Sequence, residues 1–272
     1  MRSTICKGPF VAILLVIGVL FTPSAGQSQE FLTEIPRTPE GTPDLTGVWQ
    51  ALNNAHWNIE PHSADYPVLA ELGAQFAIPP SQGVVEGGEI PYLPEALAQR
   101  DENFANRLGN DPEAKCYRGG IPRSTYMPYP FQILQNTDNV IMVYQFATAL
   151  RNIFVGGTRE APIDSWLGWS NGNWEGDTFV VDVTGVNGLT WMDRAGNFTS
   201  LNARIQERFT LMGPNHIQYE ATITDPTIYS RPWTIGMPLY RRVESDFQFL
   251  EFKCVPFSEE ILYGHLRKPP ED

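Results

Sequence analysis

From Phe131 onward the chain alternates apolar and polar residues with a period of two, and this pattern restricts the fold more than any other feature of the sequence. Successive side chains of a strand point to opposite faces, so a sustained period of two reads as β and excludes helix. Val140, Met142, Tyr144 and Phe146 alternate with Ile141, Val143 and Gln145, which describes a strand apolar on both faces. Phe179, Val181 and Val183 alternate with Val180, Asp182 and Thr184. The run Ala203, Ile205, Glu207, Phe209, Leu211 enters the turn Gly213-Pro-Asn215 and returns as Ile217, Tyr219, Ala221, Ile223. Alternation on both sides of a Gly/Pro/Asn turn is a hairpin signal. Trp233 to Tyr240 and Phe247 to Cys254 read as a further pair joined by a charged turn. About eight antiparallel strands without helices between them favour a barrel or strongly curved sandwich over a parallel α/β fold. The expected class is mainly β, a single antiparallel barrel.

The first strand of that barrel lies well upstream. Residues 27–43 are polar and carry Pro36, Pro39 and Pro43, an extended arm. Pro43-Asp-Leu-Thr-Gly-Val-Trp49 then starts a strand. Residues 53–130 are rich in proline and glycine and weak in periodicity. Short helices are expected around 66–76 and over Pro94 to Leu108, the second with proline in its first turn. The barrel domain therefore spans 44–272, with 53–130 as a loop and short-helix insertion capping one mouth.

Gly47-Val48-Trp49 resembles the G-x-W start of lipocalin-like barrels, a resemblance that implies a tryptophan plugging one barrel end. Together with Tyr129-Pro-Phe131 and Trp174-Glu-Gly-Asp-Thr-Phe-Val-Val-Asp182, it resembles a family of exported bacterial proteins of unassigned function, over most of the chain that follows residue 26. The resemblance implies export and a β fold and transfers no catalytic residue.

The N-terminus independently reads as an export signal. Arg2 and Lys7 precede the apolar run Phe10–Phe21, and Pro23, Ser24, Ala25 and Gly26 follow, the layout of a signal peptide over 1–26. The apolar run is too short for a membrane helix, so no stable span is expected after processing. Cleavage near Gly26 moves the net charge from −12 to −14, because two bases and no acid leave. An acidic surface without a Lys/Arg cluster excludes nucleic acid as a partner. The destination is periplasmic or extracellular. There Cys116 and Cys254 either pair or serve as buried apolar residues. No C-x-x-C or Cys/His spacing points to a metal.

Five places carry candidate chemistry. Glu207 is in phase with Ile205, Phe209 and Leu211, which turns its carboxylate to the apolar side. Burying it demands a partner or raises its pKa. Two roles are open to it: an internal ion pair with an arginine such as Arg194 or Arg151, and a pocket acid or base. Trp191-Met-Asp193-Arg194-Ala-Gly-Asn197 puts acid, base and ring in one inter-strand loop, as a pocket mouth or as a plain loop clamp. Trp166, Trp169, Trp174 and Trp191 fall close together, with Asn171 and Asn173, a mix suited to sugars, phenolics or amphiphiles and equally to a β core. His56-Trp-Asn-Ile-Glu60-Pro-His62 gathers two histidines and an acid, with Pro61 breaking any helix. A loop can still gather metal ligands, but hydrogen bonding or acid–base work at the barrel mouth is the expected role, with His62 as the first candidate. Finally, Arg118, Arg123, Tyr126 and Tyr129 share a Pro/Gly loop in which arginine could bind a carboxylate or polarise a carbonyl, or clamp the loop to surface acids.

G-x-S-x-G, P-loop and dinucleotide motifs are missing, and no cofactor is expected. These readings combine into an exported protein that binds a small amphiphilic or aromatic molecule and transforms it, if at all, by cofactor-independent lyase, isomerase or hydrolase chemistry. Glu207, Asp193, His62 and Arg194 are the expected catalytic residues. Trp49, Tyr126, Tyr129, Trp166, Trp169, Trp191, Arg118 and Arg123 are the expected ligand contacts. The alternatives are a non-catalytic carrier and an envelope structural domain with a filled barrel.

Overall fold

The computed structural model describes residues 34–66, 77–263 and 265. The segment 1–26, and the helix expected over 66–76 save for Tyr66, fall outside these residues. The alternating runs form nine strands: β1 (Gly47–Ala51), β2 (Phe131–Gln135), β3 (Asn139–Tyr144), β4 (Ala149–Val155), β5 (Trp169–Glu175), β6 (Thr178–Thr184), β7 (Arg204–Gly213), β8 (His216–Thr224) and β9 (Trp233–Arg241). Each pairs with the next, and β9 pairs with β1, so the sheet closes into a barrel. The fold is mainly β, a barrel with a helix-bearing insertion, as the alternation requires.

Two details differ from expectation. First, β4 and β5 run parallel, with Ile153 opposite Ser170, whereas every other pair is antiparallel. The intervening segment 156–168 returns along the barrel before β5 begins, the long crossover a parallel pair demands. Second, residues 247–254 form no strand. The β9 edge is already occupied: β1 takes Leu239 to Arg241, while Gly236 and Thr234 bond Val84 and Glu86 of the insertion. No ladder is left for a following strand to join.

Alternation sends one face of every strand inward. Phe131, Ile133, Met142, Ile153, Val181, Phe209, Ile217, Ile235 and Leu239 are all buried in one core. Each such side chain contributes roughly 1.5–3 kcal/mol by leaving water. Tight turns join β2 to β3, β5 to β6 and β7 to β8 at one end of the barrel. There Trp49 is buried, its Nε1 donates to Leu45 O at 2.9 Å, and the Arg241 guanidinium lies 4.2 Å from its ring. The arm reaches this end too, since Arg37 pairs with Asp177 in the β5–β6 turn at 2.6 Å.

The long connections gather at the opposite end. The insertion leaves β1 there and carries α1 (Pro94–Ala105), α2 (Arg107–Asn110) and α3 (Arg123–Tyr126). Pro94 opens α1, as its fixed φ favours. Ile59, Ile90, Ile121 and Tyr126 join the barrel core, so the insertion is a cap packed on that core. Two glycines set its fit. A Cβ on Gly120 (φ +73°) would overlap Thr190, and one on Gly196 (φ +85°) would meet Asn103 and the backbone of α1. A disulfide between Cys116 and Cys254 ties the cap to the segment after β9. No helix among the described residues is long and apolar enough to cross a membrane.

Candidate functional site

A charged network lies in the barrel interior. Glu207 on β7 is 0% exposed and pairs with Arg151 on β4, also buried. Tyr219 Oη donates to Glu207 Oε1 at 2.8 Å, and Arg151 Nε donates to Ser170 Oγ at 2.9 Å. Burial would lower the Arg151 pKa, but the Glu207 carboxylate overrides it and holds the guanidinium above its ordinary value. Burial, reinforced by the Glu207 charge, pushes the Tyr219 phenol well up. Of the two roles open to Glu207, the geometry supports the ion pair, with Arg151 as its partner.

A second network lies in the cap. Arg123 of α3 is buried and donates to both oxygens of Asp111, at 3.0 and 3.2 Å, and to Glu113 Oε2 at 2.6 Å. Arg194, from the loop between β6 and β7, grips the same Glu113 through Nε at 2.9 Å and Nη2 at 3.0 Å. Its guanidinium also lies 4.6 Å from the Trp57 ring centre. Burial acts to raise the Glu113 pKa, but the two arginines prevail and bring it down to about 2.

Beside this cluster sit two groups with shifts of opposite sign. Asp193 is buried, accepts from the backbone N–H groups of Ile59 at 2.9 Å and Asn197 at 3.1 Å, and is pushed up to about 6 by burial. His56 is pushed down to about 4, chiefly by burial, against the opposing pull of Glu113. Its Nδ1 is buried without a hydrogen-bond partner. An imidazole in that state is neutral at pH 7 and free to accept at Nδ1 in one of its tautomers.

The insertion and the β4–β5 and β6–β7 connections together line a cleft of about 400 Å³, within the range of small-molecule sites. Tyr117, Trp166, Trp191 and Phe198 supply its aromatic surface, and Gln99, Asn103 and Asn110 its amides. Tyr117 and Trp166 stack on each other at 5.0 Å and 29°. Trp191 and Phe198 face one another across an isolated β-bridge. Flat apolar surface beside hydrogen-bonding amides is the chemistry of amphiphile recognition.

The expected site residues divide among these places. Trp166 and Trp191 meet in the cleft. Arg123, Arg194 and Asp193 form the polar cluster of the cap, and Tyr126 is buried against it with its Oη donating to Met192 O at 2.7 Å. Tyr129 packs on Phe146 and Phe252. Trp169 stacks on Phe154 at 5.0 Å on the outer barrel face, its Nε1 unpartnered. Trp49 and Glu207 belong to the turn end and the interior. Arg118 is exposed. His62 binds its own loop, each ring nitrogen lying against a backbone carbonyl, Glu60 at 2.9 Å and Pro79 at 3.0 Å. Of the two histidines in that segment, His56 and not His62 joins the polar cluster.

Sequence reasoning passed over Asp111, Glu113, Lys115 and Phe198. They lie on loops without periodicity, and only the crowding of charges just before Cys116 marks the first three. Among the described residues, no group of three or more His, Cys, Asp and Glu side chains is arranged to hold a metal. A scan against protein-family models, a search of curated proteins and a search of solved structures each found no match.

Proposed function

We propose that this is an exported protein that binds a small amphiphilic, aromatic molecule in the cleft at the capped end of its barrel. The observation that carries the reading is the cleft wall itself, with four aromatic rings and three amides around a space sized for such a ligand. The disulfide is compatible with an oxidising destination. The interior supports placing the ligand at the barrel end, since Glu207, Arg151 and Tyr219 occupy the lumen and satisfy one another. Export rests on the signal-like N-terminus.

A second reading is favoured by Asp193, pushed up to about 6, and by the unpartnered Nδ1 of His56. Perturbed groups of this kind suit general acid–base work, and Trp191 in the cleft wall is two residues from Asp193. On that reading the bound molecule is turned over without a cofactor.

The test is a thermal-shift screen of the chain against phenolics, sterols and sugars, repeated with Trp166→Ala and Trp191→Ala. A binder raises Tm by mass action, and at about 100 times Kd the gain is roughly 2.7 kcal/mol. The expected result is a class of aromatic binders whose shift both variants abolish. Shifts that survive both variants would place binding elsewhere. Turnover of a binder that His56→Gln eliminates without weakening its Kd would establish the second reading.

A further inference from the structure

The cleft departs from the rest of the chain in its charge. The protein carries 31 acidic and 19 basic residues, but no aspartate or glutamate lines this cleft, and Lys115 does. Lys115 makes no ion pair among the described residues. The acids nearest to it in sequence are already committed, Asp111 to Arg123 and Glu113 to Arg123 and Arg194. Asn110 also lines the cleft, and its side-chain amide has no hydrogen-bond partner among the described residues. Lys115 and Asn110 thus line the same space as the stacked Tyr117–Trp166 pair and Trp191.

The geometry points to an aromatic carboxylate as the ligand, its ring against Trp166, Tyr117 and Trp191 and its carboxylate received by Lys115 and Asn110. This rests on the cleft being the binding site and goes further by naming the charged group. A neutral aromatic molecule would leave the ammonium without a partner. A cationic one would be repelled by it. A carboxylate gains a charge-assisted hydrogen bond from it.

The experiment measures Kd by tryptophan fluorescence and calorimetry for matched probes: cinnamate and 2-naphthoate, each against its primary amide and its alcohol. Wild type, Lys115→Met, Lys115→Arg and Trp166→Ala are compared, with folding checked by circular dichroism. The expected result is that each acid binds wild type about tenfold or more tighter than its amide. Lys115→Met should bring acid and amide to parity with the amide Kd unchanged, Lys115→Arg should keep the preference, and Trp166→Ala should weaken all probes together. Equal binding of acid and amide by wild type would overturn the carboxylate assignment and leave the cleft standing. So would a preference that survives Lys115→Met. If no probe binds wild type, the cleft reading falls and the assignment falls with it. The wild-type series decides the matter even if a variant fails to fold.

Discussion

The barrel interior and the cap both bury arginine–carboxylate pairs, and they hold them in different ways. Arg151 and Glu207 stand on strands fixed by ladders on either side, β3 and β5 around β4, and β6 and β8 around β7. Glu113, Arg123 and Arg194 stand on a loop, a one-turn helix and a second loop, drawn together across long stretches of chain. A charge left alone in the interior can reach water only if the barrel opens. A charge left alone in the cap needs only its loop to move. The difference in scaffold therefore sets what each network can tolerate.

The strongest way to break this contrast is Glu207→Gln. It keeps the shape and leaves the Arg151 guanidinium buried without its counter-charge, a loss of about 3–5 kcal/mol. The double variant Arg151→Met/Glu207→Leu should recover most of it, because a matched apolar pair has no charge to desolvate. Denaturant unfolding of the three variants measures both effects. A Glu207→Gln variant with near wild-type stability and lost turnover would return this residue to a catalytic role and remove the distinction between the two networks.

Opening the Cys116–Cys254 bridge acts on the cap alone. The bond spans 138 positions and secures a segment in which Phe252 packs on Tyr129 and Phe146, and Phe257 N donates to Ala114 O at 2.7 Å. Cys116→Ser/Cys254→Ser should cost about 2–4 kcal/mol. Hydrogen exchange sharpens the contrast: amides of 111–126 should lose protection while those of β6 to β8 keep it, as expected of a locally opening unit. Uniform loss across the barrel would show that cap and barrel unfold as one.

The same contrast explains what could be read in the sequence. Glu207 was legible as a buried acid because Ile205, Phe209 and Leu211 fix its phase, and a period of two leaves it a single side. β3 and β6 to β9 followed from the same arithmetic, whereas β4 and β5 were not read as strands. The parallel β4–β5 pair was not legible, since alternation reports a strand's faces and not its direction. Nor was the fate of 247–254, which depended on β9 having its edge covered by Val84, Glu86 and β1. In the cap, Asp193 and Arg194 stood out only as charges beside a tryptophan. Glu113 and Lys115 carried no pattern, because loop residues meet through tertiary packing. The sequence pointed to His62, and only burial and hydrogen bonding in the fold bring His56 to the cluster instead.

The finest test of the comparison is pH, because the titrating groups of the cap lie in a window that Arg151 and Tyr219, both held above their ordinary values, do not enter. His56 falls from 6.5 in the unfolded chain to about 4 when folded, so its contribution is complete above pH 6.5 and is lost as pH falls toward 4. Asp193 rises from 3.8 to about 6, so its contribution is present below 3.8 and is lost as pH rises through 6. The two oppose each other over nearly the same interval, each on the order of 3 kcal/mol, and the wild-type Tm should change little across it. Asp193→Asn removes one side of the balance, and its Tm should drop by several degrees on acidification from pH 6.5 to 4.5. His56→Gln removes the other, and its Tm should rise over the same range. Below about 4.5 all three proteins should lose stability together, as Glu113, down to about 2 in the fold, forces the unfolded state to take up protons first. Parallel Tm curves for wild type and both single variants would mean that the cap buries these groups no differently from an exposed loop, and the division between barrel and cap would lose its electrostatic half.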